Sequence, residues 1–202
     1  MNSPILSPEF SHFPVMLDEV VNICSPDKGG IYIDCTFGGG GYSEKLLNFS
    51  KTKVIALDRD ESILNISKKL KKKFSNRFSF HKLKFSEVHT IAGTRPVDAV
   101  IFDLGLSSIQ LNNLERGFSF NSTASLDMSM GLSTTSAEEV INNFSEKGLN
   151  SIIKILGEEK EASRIVKNII KTRLIKKITK VDQLVEIIKK SKKKDYKNKI
   201  NP

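Results

Sequence analysis

The chain has 202 residues, 39% of them hydrophobic and 27% charged, enough apolar material for one packed domain or one domain with an insertion. No run approaches the roughly 18 apolar residues that span a bilayer, and the first twelve residues have neither the basic patch nor the apolar core of a secretory signal. The net charge of +9 is lopsided: residues 146–202 hold 17 Lys and Arg against 7 Asp and Glu, whereas residues 1–145 hold 15 against 16.

A basic excess confined to the last quarter points either to a polyanionic partner, nucleic acid first, or to a solvated lysine-rich surface. The two cysteines, Cys24 and Cys35, are isolated among apolar neighbours and are expected to be free thiols in a reducing, cytoplasmic setting. With three histidines and no Cys/His spacing of the metal-binding kind, no metal site is expected.

In chain order, Val15 to Cys24 carries apolar residues at helical spacing and stops before Pro26. Ile31 to Thr36 reads as a strand, followed by four glycines and a helix over Ser43 to Phe49. Lys53 to Asp58 is a buried-strand pattern, Asp60 to Lys73 an amphipathic helix, and Arg77 to Leu83 and Val97 to Leu104 two further strands. Strands alternating with helices predict βαβ units and a parallel sheet. Residues 107–136 are polar with little periodicity. Helices follow at about 137–144, 149–156, 158–172 and 180–190, the last opened by Thr179 and Asp182 as a weak capping box, and then a lysine-rich tail from Ser191. The reading is an incomplete α/β sheet over residues 1–105 and a helical, basic unit over 106–202. A fourth strand with an uncovered edge implies that a further segment completes the sheet or that the chain is a fragment.

Gly38 to Gly41 directly follow the first strand. In an open parallel sheet, ligands sit at the carboxyl ends of the strands, and a glycine turn lets a ligand approach the backbone there. Asp58, ending the second strand, is placed to accept hydrogen bonds from both hydroxyls of a ribose. A dinucleotide and S-adenosylmethionine both fit this much. The dinucleotide fingerprint would put its third small residue at Ser43, a poor match, and Asp34 at the end of the first strand would repel a pyrophosphate while tolerating a cationic methyl donor. Asp103, at the end of the fourth strand, is the candidate to orient an amine N–H and take up its developing charge during methyl transfer. A turn-capping or purely cofactor-binding Asp103 is the competing role.

The segments HFPVMLDEV (12–20), YIDCTFGGGGYS (32–43), LDRD (57–60), FDLGLSSIQL (102–111), RGFSF (116–120) and LDMSM (126–130) occur in this order. Together they resemble the bacterial 16S ribosomal RNA cytosine-N4 methyltransferase family, also called MraW, over residues 12–202. The resemblance implies a class I, Rossmann-like methyltransferase sheet with an α-helical insertion, S-adenosylmethionine as cofactor, and a cytosine of 16S rRNA in the small ribosomal subunit as substrate. It also implies cofactor contacts at Gly40, Gly41, Tyr42, Asp58, Phe85, Asp103 and Gln110, with Phe85 offering a ring to the adenine. It leads to the expectation that the final strands of the sheet lie beyond Pro202, in a chain truncated relative to the family. Four positions depart from the family pattern the resemblance implies: Tyr42 replaces a histidine, Ile109 a proline, and Ser129 and Gly131 an arginine and an acid. A truncated, non-catalytic binding product and a dinucleotide-dependent oxidoreductase are the alternatives.

Overall fold

The computed structural model describes residues 14–93 and 96–192. His12 and the lysine-rich tail beyond residue 192 lie outside them. Four strands, β1 (Gly30–Asp34), β2 (Thr52–Asp58), β3 (Phe78–Lys82) and β4 (Ala99–Ile101), form one all-parallel sheet in the order β3-β2-β1-β4. This is the α/β architecture expected from the alternating pattern.

Successive strand residues face opposite sides of the sheet. Tyr32, Val54, Ala56, Phe78 and Ile101 pack against three helices, α1 (Leu17–Cys24), α2 (Gly41–Leu47) and α3 (Leu64–Phe74). Ile33 and Leu57 face the other way, where the one-turn helix α4 (His89–Ala92) contributes Ile91 and Ala92. Because both faces are covered, β1 and β2 are nearly unbroken apolar runs. The connection from β3 to β4 passes on the opposite face from the first two, so the strand order reverses between β1 and β4. That reversal opens a crevice at the strand ends. Arg77 ties the layers together at the far end, its guanidinium donating to the carbonyls of Leu47, Phe49 and Thr52 at 2.9, 2.9 and 3.3 Å.

Among the boundaries that differ from the sequence reading, two lie beside the strand ends. The predicted strand over 97–104 is three residues long, because β4 pairs with β1 only as far as Asp34 opposite Ile101, and beyond Asp34 the partner becomes the glycine turn. The predicted helix from Asp60 begins instead as a 3-10 turn (Glu61–Ile63), with the Asp60 carboxylate accepting from the Ser62 N–H at 3.0 Å. Helix α3 then presents Leu70 and Phe74 to the core and a run of lysines to solvent. Helix α4 and helix α5 (Ser108–Asn112) were not predicted; each is too short to carry a periodic signal.

The described residues fall into two compact units, one comprising residues up to Ile109 together with Met130–Leu132, the other Gln110–Ser129 and the residues from Ser133 on. The second unit is helical: α6 (Ala137–Asn143), α7 (Glu146–Ser151) continuing as a π-helix (Ile152–Leu156), α8 (Ala162–Ile175) and α9 (Val181–Ser191). Ser136 and Ser145 cap α6 and α7. The reach-back at the start of α9 comes from Gln183, whose side chain accepts from the Thr179 and Lys180 N–H groups, rather than from Asp182. The polar stretch forms a belt on these helices. Leu126 is buried among Ile141, Leu149, Ile165 and Ile169, and its N–H donates to Thr179 O at 2.9 Å while the Val181 N–H donates to Ala124 O at 3.2 Å.

Leu126→Ala is expected to cost about 2–5 kcal/mol of stability, as for other fully buried leucines. A lowered urea midpoint followed by circular dichroism checks it; an unchanged midpoint would mean that the belt is not part of the second core.

Candidate active site

The glycine turn and α2 are built around Asp34, which is fully buried at the end of β1. Its carboxylate accepts from the Ser43 hydroxyl at 2.7 Å and from the Thr36 N–H at 3.3 Å. The first bond ties the strand end to the first turn of α2. Thr36 extends the network: its own hydroxyl accepts from the Asp103 N–H at 2.7 Å. Thr36 therefore sets where the backbone of Asp103 sits relative to β1. On the other side of β1, the Asp58 carboxylate accepts from the Gly38 N–H at 2.8 Å and from the Asp60 N–H at 2.9 Å. The glycine turn is held from within the sheet, and part of the backbone expected to face a ligand is used by Asp58.

Three carboxylates thus converge at the carboxyl ends of β1, β2 and β4. Burial pushes the Asp34 carboxyl up to about 6, against the pull of Ser43 and Thr36; the charges of Asp58 and Asp103 push it further. Burial also raises Asp58, opposed by the Asp60 and Gly38 amides. The Cys35 thiol, buried beside Asp34, is pushed up to about 11 by desolvation and then by that carboxylate, so it stays a protonated, inert side chain. Such an acidic crevice is hostile to a pyrophosphate and suited to a cation.

Two glycines have identifiable reasons. Gly40 has φ +79°, and a Cβ there would lie 3.0 Å from the Phe37 ring. At Gly41 the backbone is ordinary, but a Cβ would collide with the Pro14 ring. Tyr42 is buried, and its hydroxyl donates to the Val15 carbonyl. The phenol is thus committed to the N-terminal segment, a role its expected place among cofactor contacts did not suggest. Phe85 is 45% exposed and meets the equally exposed Phe102 edge-on, ring centroids 5.9 Å apart. These rings come from residues following β3 and β4, the two outer strands, so their contact bridges the ends of β2 and β1. Gln110, the remaining predicted contact, is buried on α5 and belongs to the second unit.

Sequence reasoning missed Thr36, Phe102 and Pro14. Phe102 read as one more apolar strand residue, and nothing local signals that Thr36 and Pro14 reach across the sheet end. Among the described residues, no group of three or more His, Cys, Asp or Glu is arranged to hold a metal ion. No helix among them is long and apolar enough to cross a membrane.

A doubly wound parallel sheet with a glycine turn after β1 and a carboxylate ending β2 defines a Rossmann-like α/β protein. Within that class the chain belongs to the MraW methylase family, whose profile it matches over residues 9–202. It is 40% identical over 181 residues to the ribosomal RNA small subunit methyltransferase H of Rickettsia canadensis (strain McKiel), covering 90% of this chain and 59% of the relative. It is 40% identical over 183 residues to the protein of the same name from Zymomonas mobilis, covering 89% and 54%, and 38% identical over 195 residues to that of Neorickettsia sennetsu, covering 96% and 66%. The chain spans about three-fifths of the length of these curated relatives.

The raised Asp34 pKa carries a stability consequence. A carboxyl whose folded pKa exceeds its unfolded value contributes stability that is fully present below about pH 4 and is lost as pH rises through about 6. The rise from the ordinary carboxylate value to about 6 corresponds to about 3 kcal/mol. Asp34→Asn has no such titration, so the stability difference between the two proteins should move toward the variant by up to that amount between pH 4 and 7. Denaturant titrations across the range check this; parallel curves would mean that Asp34 titrates normally.

Proposed function

We propose that this chain carries the cofactor site of an S-adenosylmethionine-dependent methyltransferase that modifies N4 of a cytosine in 16S rRNA of the small ribosomal subunit, acting in the cytoplasm. The observation that carries the reading is the convergence of Asp34, Asp58 and Asp103 at the strand-order reversal, with the aromatic pair Phe85 and Phe102 beside it. The names of the relatives support the rRNA substrate. The dinucleotide alternative is not favoured by the family or by the third acid in the crevice.

When bound, S-adenosylmethionine supplies a methyl group on a positively charged sulfur. The chain's own residues hold it and prepare the acceptor. Asp58 would accept from the ribose hydroxyls with the lone pairs left after its two amide bonds. Phe85 would offer its ring to the adenine, and Gly40, Gly41, Tyr42 and Gln110 would complete the cofactor contacts that the family resemblance implies. Asp34, buried in the same cluster of acids, would add negative charge suited to a cationic donor. Asp103 would accept an N–H of the cytosine amine, orient the amine nitrogen for attack and take up the charge that develops on it. Thr36 positions Asp103 through its backbone. The cytosine must be unpaired to reach this depth. The exposed lysines of α8 and α9, Lys167, Lys171, Lys189 and Lys190 among them, supply phosphate contacts.

The deciding experiment is transfer of radiolabelled methyl from S-adenosylmethionine to 30S particles. Wild type is expected to label 16S rRNA, and Asp103→Asn to lower turnover by about 10²–10⁴-fold. Cofactor binding without labelling would identify a binding-only product, and tight binding of NAD instead would sink the reading. Affinity for the methyl donor should rise as pH increases through about 6, as Asp34 ionises; calorimetry at pH 5 and 7 reads this directly. Binding to rRNA should weaken linearly in log salt, and a flat salt response would remove the basic helices from the interface.

A further inference from the structure

The first turn of α2 has three successive tasks. Gly41 faces the Pro14 ring, the Tyr42 hydroxyl donates to Val15 O, and the Ser43 hydroxyl donates to Asp34. The first two hold a segment that precedes α1 and has no sheet or helix of its own. Pro14 is buried, whereas the Val15 and Met16 side chains are 64% and 62% exposed. Met16 adopts a left-handed backbone at φ 52°, uncommon for a residue with a side chain, and its carbonyl accepts from the Val20 N–H at 3.0 Å as α1 begins. A segment with exposed side chains and an unfavourable backbone keeps one conformation only if its surroundings hold it. Pro14 is held by its contact with Gly41, and Val15 by the phenol. The residue after Tyr42, Ser43, donates to Asp34 at 2.7 Å, so the segment is fastened one residue away from that buried carboxylate.

We propose that Tyr42 is a positioning residue: its hydroxyl clamps the Pro14–Met16 strap onto the start of α2, and the strap forms a fixed wall of the methyl-donor crevice. The side chain works on the protein's own N-terminal segment, and any cofactor contact at position 42 is left to the backbone. This rests on the methyl-donor reading of the crevice and adds to it a second role for α2. It also gives the tyrosine that stands in place of the family's histidine a use of its own. The phenol places its hydroxyl further from the backbone than either imidazole nitrogen would lie.

Tyr42→Phe removes only the clamp. The variant is expected to bind S-adenosylmethionine at least about fivefold more weakly in calorimetry, the effect of one lost hydrogen bond, and to exchange the Val20 amide severalfold faster. Pro14→Ala, which leaves α2 untouched, should shift both readouts in the same direction and serves if the first variant does not fold. Wild-type affinity in both variants, or a lowered melting temperature with affinity and exchange unchanged, overturns the strap and leaves a merely structural tyrosine. A wild-type chain that binds no S-adenosylmethionine overturns the cofactor reading and this role with it, and the exchange data then report whether the clamp itself exists.

Discussion

A carboxylate sealed from water at the end of β1 is the constraint on which the site depends. Asp34 has no solvent to stabilise its charge, so its environment must supply donors, and it does so from both sides of the crevice: Ser43 from α2 and Thr36 from the chain leaving β1. Satisfying that one group fixes the angle at which α2 leaves the sheet. It also fixes Thr36, whose hydroxyl then has a lone pair for the Asp103 N–H. A buried polar network of this kind is costly if any member is missing and rigid when complete. The acids at the ends of β2 and β4 are thereby held at set positions around a third, and the mutual repulsion of the three is built in before any ligand arrives.

That repulsion separates this crevice from a dinucleotide site on the same scaffold. Both put a glycine turn after β1 and an acid at the end of β2. A pyrophosphate needs the turn amides free and the surroundings neutral or positive. Here the Gly38 amide is taken by Asp58, and the floor carries a third acid. A cation relieves the strain that an anion would aggravate. The proposed function extends the same logic to the helical unit, where the excess of lysine over acid is suited to a polyanion.

Much of this was legible in the sequence because the signals are short-range. The apolar runs of β1 and β2, the glycine turn, and acids ending successive strands are local patterns, and a parallel sheet brings strand ends together whatever the loops do. The pairing of Phe85 with Phe102 was not legible, since it depends on β3 and β4 lying on opposite flanks of the sheet with their following residues folded inward. Nor was the extent of β4, where alternation in VDAVIFDL continues past the last paired residue. Tyr42 drew attention as an anomaly in a glycine-rich motif, but its partner lies 27 residues away in sequence. In the second unit, the RGFSF and LDM segments read as polar loop. Leu126 is nevertheless core, and the Arg116 guanidinium donates to the Ser129 carbonyl at 3.0 Å.

Gly131 shows how one small residue can link two loops. Its φ is +49°, and a Cβ there would overlap the carbonyl oxygen of Arg59, whose own guanidinium donates to Met130 O at 2.9 Å. Once the 130–132 turn rests on the backbone that follows Asp58, the acid the family pattern carries there has no room. Any side chain at 131 would require the loop after β2 to move first, and that loop holds the Asp60 amide that supports Asp58. A bulkier residue there would therefore reach the strand-end carboxylate through the backbone, without touching it.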